Sequence, residues 1–386
     1  MIKAITAFTE EIDEVEAAVG EIMAQIEAAG GLLTHSAGLM SFYAEFAETG
    51  VVAAVCERLG FPVIGSTTLR TAVPGMHGGL MLGLTVLTSD DVTFSAAMTS
   101  ALSGVDLAAA TTETYNRALD ALGGMTSGIF VTAPLMIHAG DQYADALNDA
   151  SGGIPVFGTL TCDHTAQYTE SLALCNGKTM PDAMAILLLG GAVTPRFFLA
   201  SIEKGKIWQH SAIVTKSEGN VLMEVNNIPI TQFLETVGLA KNGSIAESIN
   251  TFPFVLDYND GTPGIMRATL SVTPEGYCVC GGLVPMGTTL SVATFGRTDV
   301  LSTSGEMLDS ILNCAEGSVC LMLSCVGRNF ALGVDTEAEM ALVEERLSGK
   351  LPYLFSYSGG ELCPVRSENG EQKNCFHNNT LIACLL

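Results

Sequence analysis

Strand-like and helix-like patterns alternate along this chain in a recurring order. An alternating apolar and polar stretch over Lys3–Thr9 predicts a half-buried strand. Ile12, Val15, Val19, Ile22, Met23 and Ile26 then fall on one helical face, behind an acidic first turn, and Gly30-Gly31 stops the helix. A buried strand is predicted next over 31–37, and the same step recurs at 128–133 and 319–325, where the apolar runs are too short for helices. The opening strand recurs over 92–98 and 289–295. A second helix follows each buried strand; in the last copy it runs from 336 to 347, with Thr336-x-x-Glu339 as a capping box and Gly349 as its end.

Each second helix delivers the chain to a proline, which fixes φ and marks entry into a strand. Pro62, Pro155, Pro253 and Pro352 recur roughly every 97 residues. The pattern predicts a mixed α/β (α+β) fold of repeated β-α-β-α-β units, their mixed sheets flanked by helices. Four units are expected, the third (191–287) being degenerate, with a hairpin over 208–224 and turns at Asn259-Asp-Gly261 and Pro274-Glu-Gly276. Pairing units one with two and three with four puts a domain boundary near residue 205, giving domains 1–205 and 206–386.

Composition narrows the function. With 17 lysines and arginines against 41 aspartates and glutamates, the net charge is −24, a field that repels nucleic acid and anionic lipid. Glu10, Glu11, Asp13 and Glu14 interrupt any signal-peptide core, and the longest apolar run, 183–193, is half a membrane span and reads as a buried strand. The 11 cysteines, an odd number set mostly in apolar runs, favour a reducing compartment, so a cytoplasmic protein is expected. Cys278-Val-Cys280, Cys162-Asp-His164 and Cys375-Phe-His377 are poor zinc spacings, and neither a P-loop nor a dinucleotide fingerprint occurs. No metal and no cofactor are expected.

Three polar segments follow buried strands at equivalent places: Gly65-Ser-Thr67-Thr68, Gly158-Thr-Leu-Thr-Cys-Asp163 and Ser356-Tyr-Ser358-Gly-Gly360-Glu361. Open α/β sheets collect ligands at such strand ends. The last unit adds Cys325-Val-Gly-Arg328 and Phe376-His377-Asn378-Asn-Thr380. Arginine is scarce here, and Arg328 directly follows a buried strand, where it needs an anionic partner. That partner is a ligand carboxylate or an internal one, Glu361 or Asp335. Nucleophilic readings are Cys325 activated by His377, and Ser358 in an elbow-like turn that has Ser356 where glycine is wanted.

The residues 355–364 followed by 376–380, with Ser324-Cys325-x-Gly327-Arg328, resemble the closing segments of the FIST family, and 214–220 through Pro229 and Gly238 is similar to the opening of its C domain. The resemblance spans nearly the whole chain as a FIST N-like domain (1–205) and a FIST C-like domain (206–386). Ser66-Thr67-Thr68-Leu69-Arg70 departs from the family's usual STAGE segment, so no carboxylate role carries over there. The family implies a sensory input module that binds small molecules such as amino acids.

With no output domain after Leu386, a stand-alone sensor signalling through a protein partner or a homo-oligomer is expected. The expected ligand site comprises Arg328 for a carboxylate, Glu361 for an ammonium group, and His377, Asn378 and Thr380 for orientation, with Cys325, Ser358, Gly360, Phe376, Asp163 and Thr67 around them. A hydrolase using Cys325 or Ser358 is the rival reading, and a purely structural interaction protein with an internal Arg328 pair is the third.

Overall fold

Pro62, Pro155 and Pro352 do enter equivalent strands, and those strands organise everything else. The computed structural model describes residues 1–246, 249, 251–314 and 317–386. The first unit runs β1 (Lys3–Thr9), α1 (Val15–Ala28), β2 (His35–Phe42), α2 (Glu45–Glu48), α3 (Val51–Leu59), β3 (Val63–Thr67), the hairpin β4 (Thr71–Val73) and β5 (Met76–Gly78), and β6 (Leu82–Ser89). The second repeats it: β7 (Phe94–Met98), α4 (Leu107–Leu122), β8 (Thr126–Ala133), α5 (Gly140–Ser151), β9 (Val156–Leu160), β10 (Ala173–Cys175), β11 (Lys178–Met180) and β12 (Ala185–Gly190).

The third unit opens with β13 (Arg196–Ala200) and is then interrupted by an inserted body. This comprises β14 (Ile207–Glu218), β15 (Val221–Val225), β16 (Ile228–Pro229), α6 (Ile230–Thr236), β17 (Ala240–Lys241), β18 (Ser244–Ile245), β19 (Phe254–Asp257), β20 (Ile265–Arg267), β21 (Thr269–Val272), β22 (Cys278–Cys280) and β23 (Thr289–Ala293). The unit resumes with α7 (Arg297–Asn313), β24 (Cys320–Cys325), α8 (Val326–Ala331), α9 (Ala338–Leu347), β25 (Tyr353–Ser358), β26 (Glu361–Arg366), β27 (Gln372–His377) and β28 (Leu381–Leu385).

Four prolines predict four units; the sheets contain three. Pro253 leads into β19 of the inserted body, and the alternating stretch at 289–295 is β23 of that body's own sheet. The strand that opens the third unit is β13, paired with β28. The hairpin expected over 208–224 is β14–β15, and Asn259 and Gly276 take the left-handed turn conformations.

The three six-stranded sheets share one order: β1-β6-β2-β3-β10-β11, β7-β12-β8-β9-β26-β27 and β13-β28-β24-β25-β4-β5. In each, the two central strands are parallel and the last hairpin comes from another unit. The first unit gives its hairpin to the third, the third to the second and the second to the first. This closed exchange is a pseudo-threefold arrangement.

Helices cover the outer faces. In α1, Ala18, Val19, Ile22 and Ile26 are buried against the first sheet with Ile5, Val52 and Val55, which is the amphipathic stripe read from the sequence. Parallel cores lie under α4 and α5 and under α7 and α9. The inner faces of all three sheets meet in a central core, where Ile64, Phe157 and Leu354 occupy matching positions. No helix among the described residues is long and apolar enough to cross a membrane.

Candidate functional site

On the axis of this arrangement the three parallel pairs line a hollow of about 50 Å³. In register, Ser41 pairs with Ser66, Thr132 with Thr159 and Leu323 with Ser356. These six inward positions line its polar end, and Leu39, Ile64, Phe130, Phe157, Leu321 and Leu354, two residues earlier on each strand, line its apolar end. The strands deliver them by period-two alternation, with the other face given to the helices. A side chain on Gly65 or Gly158, at matched positions beside the ring, would overlap the Met40 or Val131 carbonyl oxygen.

Four of the five hydroxyls are unoccupied by the protein. Thr132 Oγ1 is buried without a partner, and Ser41, Ser66 and Ser356 have no side-chain hydrogen bond among the described residues. Thr159 Oγ1 instead donates to Ser358 Oγ at 2.7 Å, and Ser358 donates to the Gly360 carbonyl at 2.6 Å.

Several of the residues expected from sequence stand behind this ring. Cys325 pairs in register with Ser358, and Glu361 with Thr159. Glu361 is fully buried; Thr380 Oγ1 donates to its Oε2 at 2.7 Å, while Oε1 has no partner. Burial pushes its carboxyl well above the ordinary glutamate range, so the neutral acid is favoured. Burial first, and Glu361 second, raise the Cys325 thiol well above its usual value. Gly360 lies against the Phe376 ring, which leaves no room for a Cβ. Thr67 accepts at Oγ1 from the Leu172 backbone at 2.9 Å, tying the second unit's hairpin to the first sheet.

Other expected residues point elsewhere. Arg328 is wholly buried, and its carboxylate is neither Glu361 nor Asp335 but Glu339: Nε and Nη2 donate to Glu339 Oε1 at 3.0 and 2.9 Å, and Nη2 reaches Ser304 Oγ at 2.7 Å. Glu339 is therefore not a capping residue, and Ser324 donates to its other oxygen at 2.7 Å. Asp335 pairs with Arg297 on the surface at 2.8 Å. His377 Nε2 meets the Cys363 carbonyl at 3.2 Å, and burial lowers its pKa to about 4. No hydrogen bond joins it to Cys325 among the described residues, so the thiol lacks an activating base. Asp163 accepts from Glu170 N at 2.8 Å and Ser171 Oγ at 2.9 Å and organises its own loop. Asn378 packs against Gly281 of the inserted body, its Oδ1 unpaired.

Sequence reasoning missed Ser41 and Thr132. Each is a hydroxyl near the end of its strand, two residues after an inward Leu39 or Phe130, and that matched placement was the available signal. It also missed Arg267, as scarce and as buried as Arg328.

The sequence matches the profile of the FIST N domain over residues 36–228 and that of the FIST C domain over 231–364. FIST domains are sensory, small-ligand-binding domains of signal transduction. Among solved structures, the chain is similar to a cyanuric acid hydrolase from A. caulinodans, at 11% identity over 100% of this chain and 99% of that one, with a TM-score of 0.38. A chorismatase is similar at 9% identity over 91% and 92% of the two chains, with a TM-score of 0.35. No protein of curated function matches the sequence.

Proposed function

The chain belongs to the FIST family, and from that premise we propose that it is a cytoplasmic sensor whose small ligand occupies the axial hollow. One observation carries the reading: three units, each through its own parallel strand pair, line a single shared space with hydroxyl-bearing residues, and four of those hydroxyls have no protein partner among the described residues. Buried polar groups are ordinarily satisfied, so a ring of unsatisfied ones facing a hollow favours an occupant. The signal then passes to a protein partner or a second copy, and the inserted body, which packs on the hairpin carrying Phe376 and Asn378, is the natural output element.

An amino acid, the finer expectation, needs a cation for its carboxylate. Arg328 is held by Glu339 and does not supply it.

The test is a thermal-shift screen of metabolites on the full chain, repeated on Ser66→Ala and Thr132→Val. A ligand at a hundredfold excess over its Kd raises Tm by about 2–5 °C, and both variants reduce that shift. A ligand whose shift is unchanged in both variants places the site elsewhere.

A further inference from the structure

We infer that the axial hollow takes an uncharged, compact molecule carrying both hydrogen-bond donors and acceptors, of the primary-amide class. The inference rests on the reading of that hollow as the ligand site and adds the chemistry of the guest.

Its wall decides the charge. No lysine, arginine or histidine lines it. The two wholly buried arginines are committed, Arg328 to Glu339 and Arg267 to Asp141. An anion stripped of water there would meet no counter-charge to offset its desolvation. A cation fares no better, because no carboxylate lines the hollow, and Glu361, paired in register with Thr159 of the ring, is engaged by Thr380 and buried.

Hydroxyls both donate and accept. Ser41, Ser66, Thr132 and Ser356 therefore match a guest with both capacities, whereas a hydrocarbon would displace water and leave them unpaired. The apolar end, floored by Phe130, Phe157 and Leu354, suits a methyl group or a CH face. Size follows from volume: at roughly 10–15 Å³ per water, about 50 Å³ admits three to five non-hydrogen atoms.

Acetamide, sodium acetate and methylammonium chloride are the probes, followed by saturation-transfer NMR on the full chain. Acetamide is expected to bind saturably in roughly the millimolar range, to weaken about tenfold or more in Thr132→Val and Ser66→Ala, and to be displaced by neither ion. Thermal unfolding of both variants without added probe confirms that they fold.

Displacement by acetate or methylammonium at equal concentration, still sensitive to Thr132→Val, overturns the charge assignment and leaves the site standing. Acetamide binding that ignores both variants overturns the site. No saturable acetamide binding up to about 100 mM means that the hollow holds only water or a guest of another class, and the inference falls.

Discussion

Arg267, the last residue of β20, donates from Nη2 to Asp141 Oδ1 in α5 at 2.5 Å, joining the inserted body to the second unit. The same guanidinium donates from Nη1 to the Phe376 carbonyl of the third unit at 3.0 Å, and Asp141 Oδ2 accepts from Leu283 N at 2.8 Å. One ion pair thus joins three parts of the chain. Arg267→Met, which strands a carboxylate among backbone groups, is expected to cost about 3–5 kcal/mol. Asp141→Asn leaves the wholly buried Arg267 guanidinium without its counter-charge and should cost a similar amount. Urea unfolding of the two variants measures both costs.

Arg328 and Glu339 are both wholly buried. Glu339→Gln leaves an unpaired guanidinium and should destabilise by about 3–5 kcal/mol, whereas the double change Arg328→Met with Glu339→Leu should recover most of that loss. A double variant as unstable as the single one would mean that the pair itself, rather than its breaking, matters. Chemical denaturation of all three proteins decides.

Stability should change with pH in two opposed ways. His377 has its folded pKa lowered to about 4 against 6.5 for the free side chain. Between those values the unfolded chain binds more protons, so stability falls as pH drops through that window, by about 3 kcal/mol in all. Glu361 is raised instead, so its contribution is full below the ordinary glutamate range and is lost as pH rises towards its folded value. His377→Gln should remove the fall in stability towards acid pH, and Glu361→Gln should remove the opposed loss that begins as pH rises out of the ordinary glutamate range. Unfolding free energies from pH 4 to 8 separate the two.

Gly65→Ala and Gly158→Ala put a methyl group onto a neighbouring strand's carbonyl oxygen, where neither backbone can yield. Each should cost about 1–3 kcal/mol or prevent folding. Gly124→Ala meets nothing within 4 Å and should stay within about 0.5 kcal/mol. Melting temperatures of the three variants compare them directly.

The repeated unit was legible because proline at a strand entry and a helical apolar stripe are both local signals. The number of units was not. Pro253 stands at the right interval by chance, and a half-buried strand such as 289–295 looks the same in an inserted sheet as in a repeated one. The hairpin exchange left no trace, since three-residue strands such as β4 and β10 have no period to read and nothing local says which sheet they join. At the site, Gly65-Ser, Gly158-Thr and Ser356 were legible because each follows a buried strand, and those three strands meet. Arg328 was recognisable as a buried cation in need of an anion. Its partner was misread because Thr336-x-x-Glu339 satisfies a capping pattern, and only burial shows that Glu339 turns inward.

The exchanged hairpins also bear on how the protein is made. Thr68 and Thr71 bond to Tyr357 and Phe355, which are synthesised nearly three hundred residues later. At about 5–20 residues per second, the first hairpin waits roughly 15–60 s on the ribosome with its edge bare. Since no sheet closes from its own unit alone, the nascent chain cannot complete one domain before the next emerges, and assembly must finish nearly all at once.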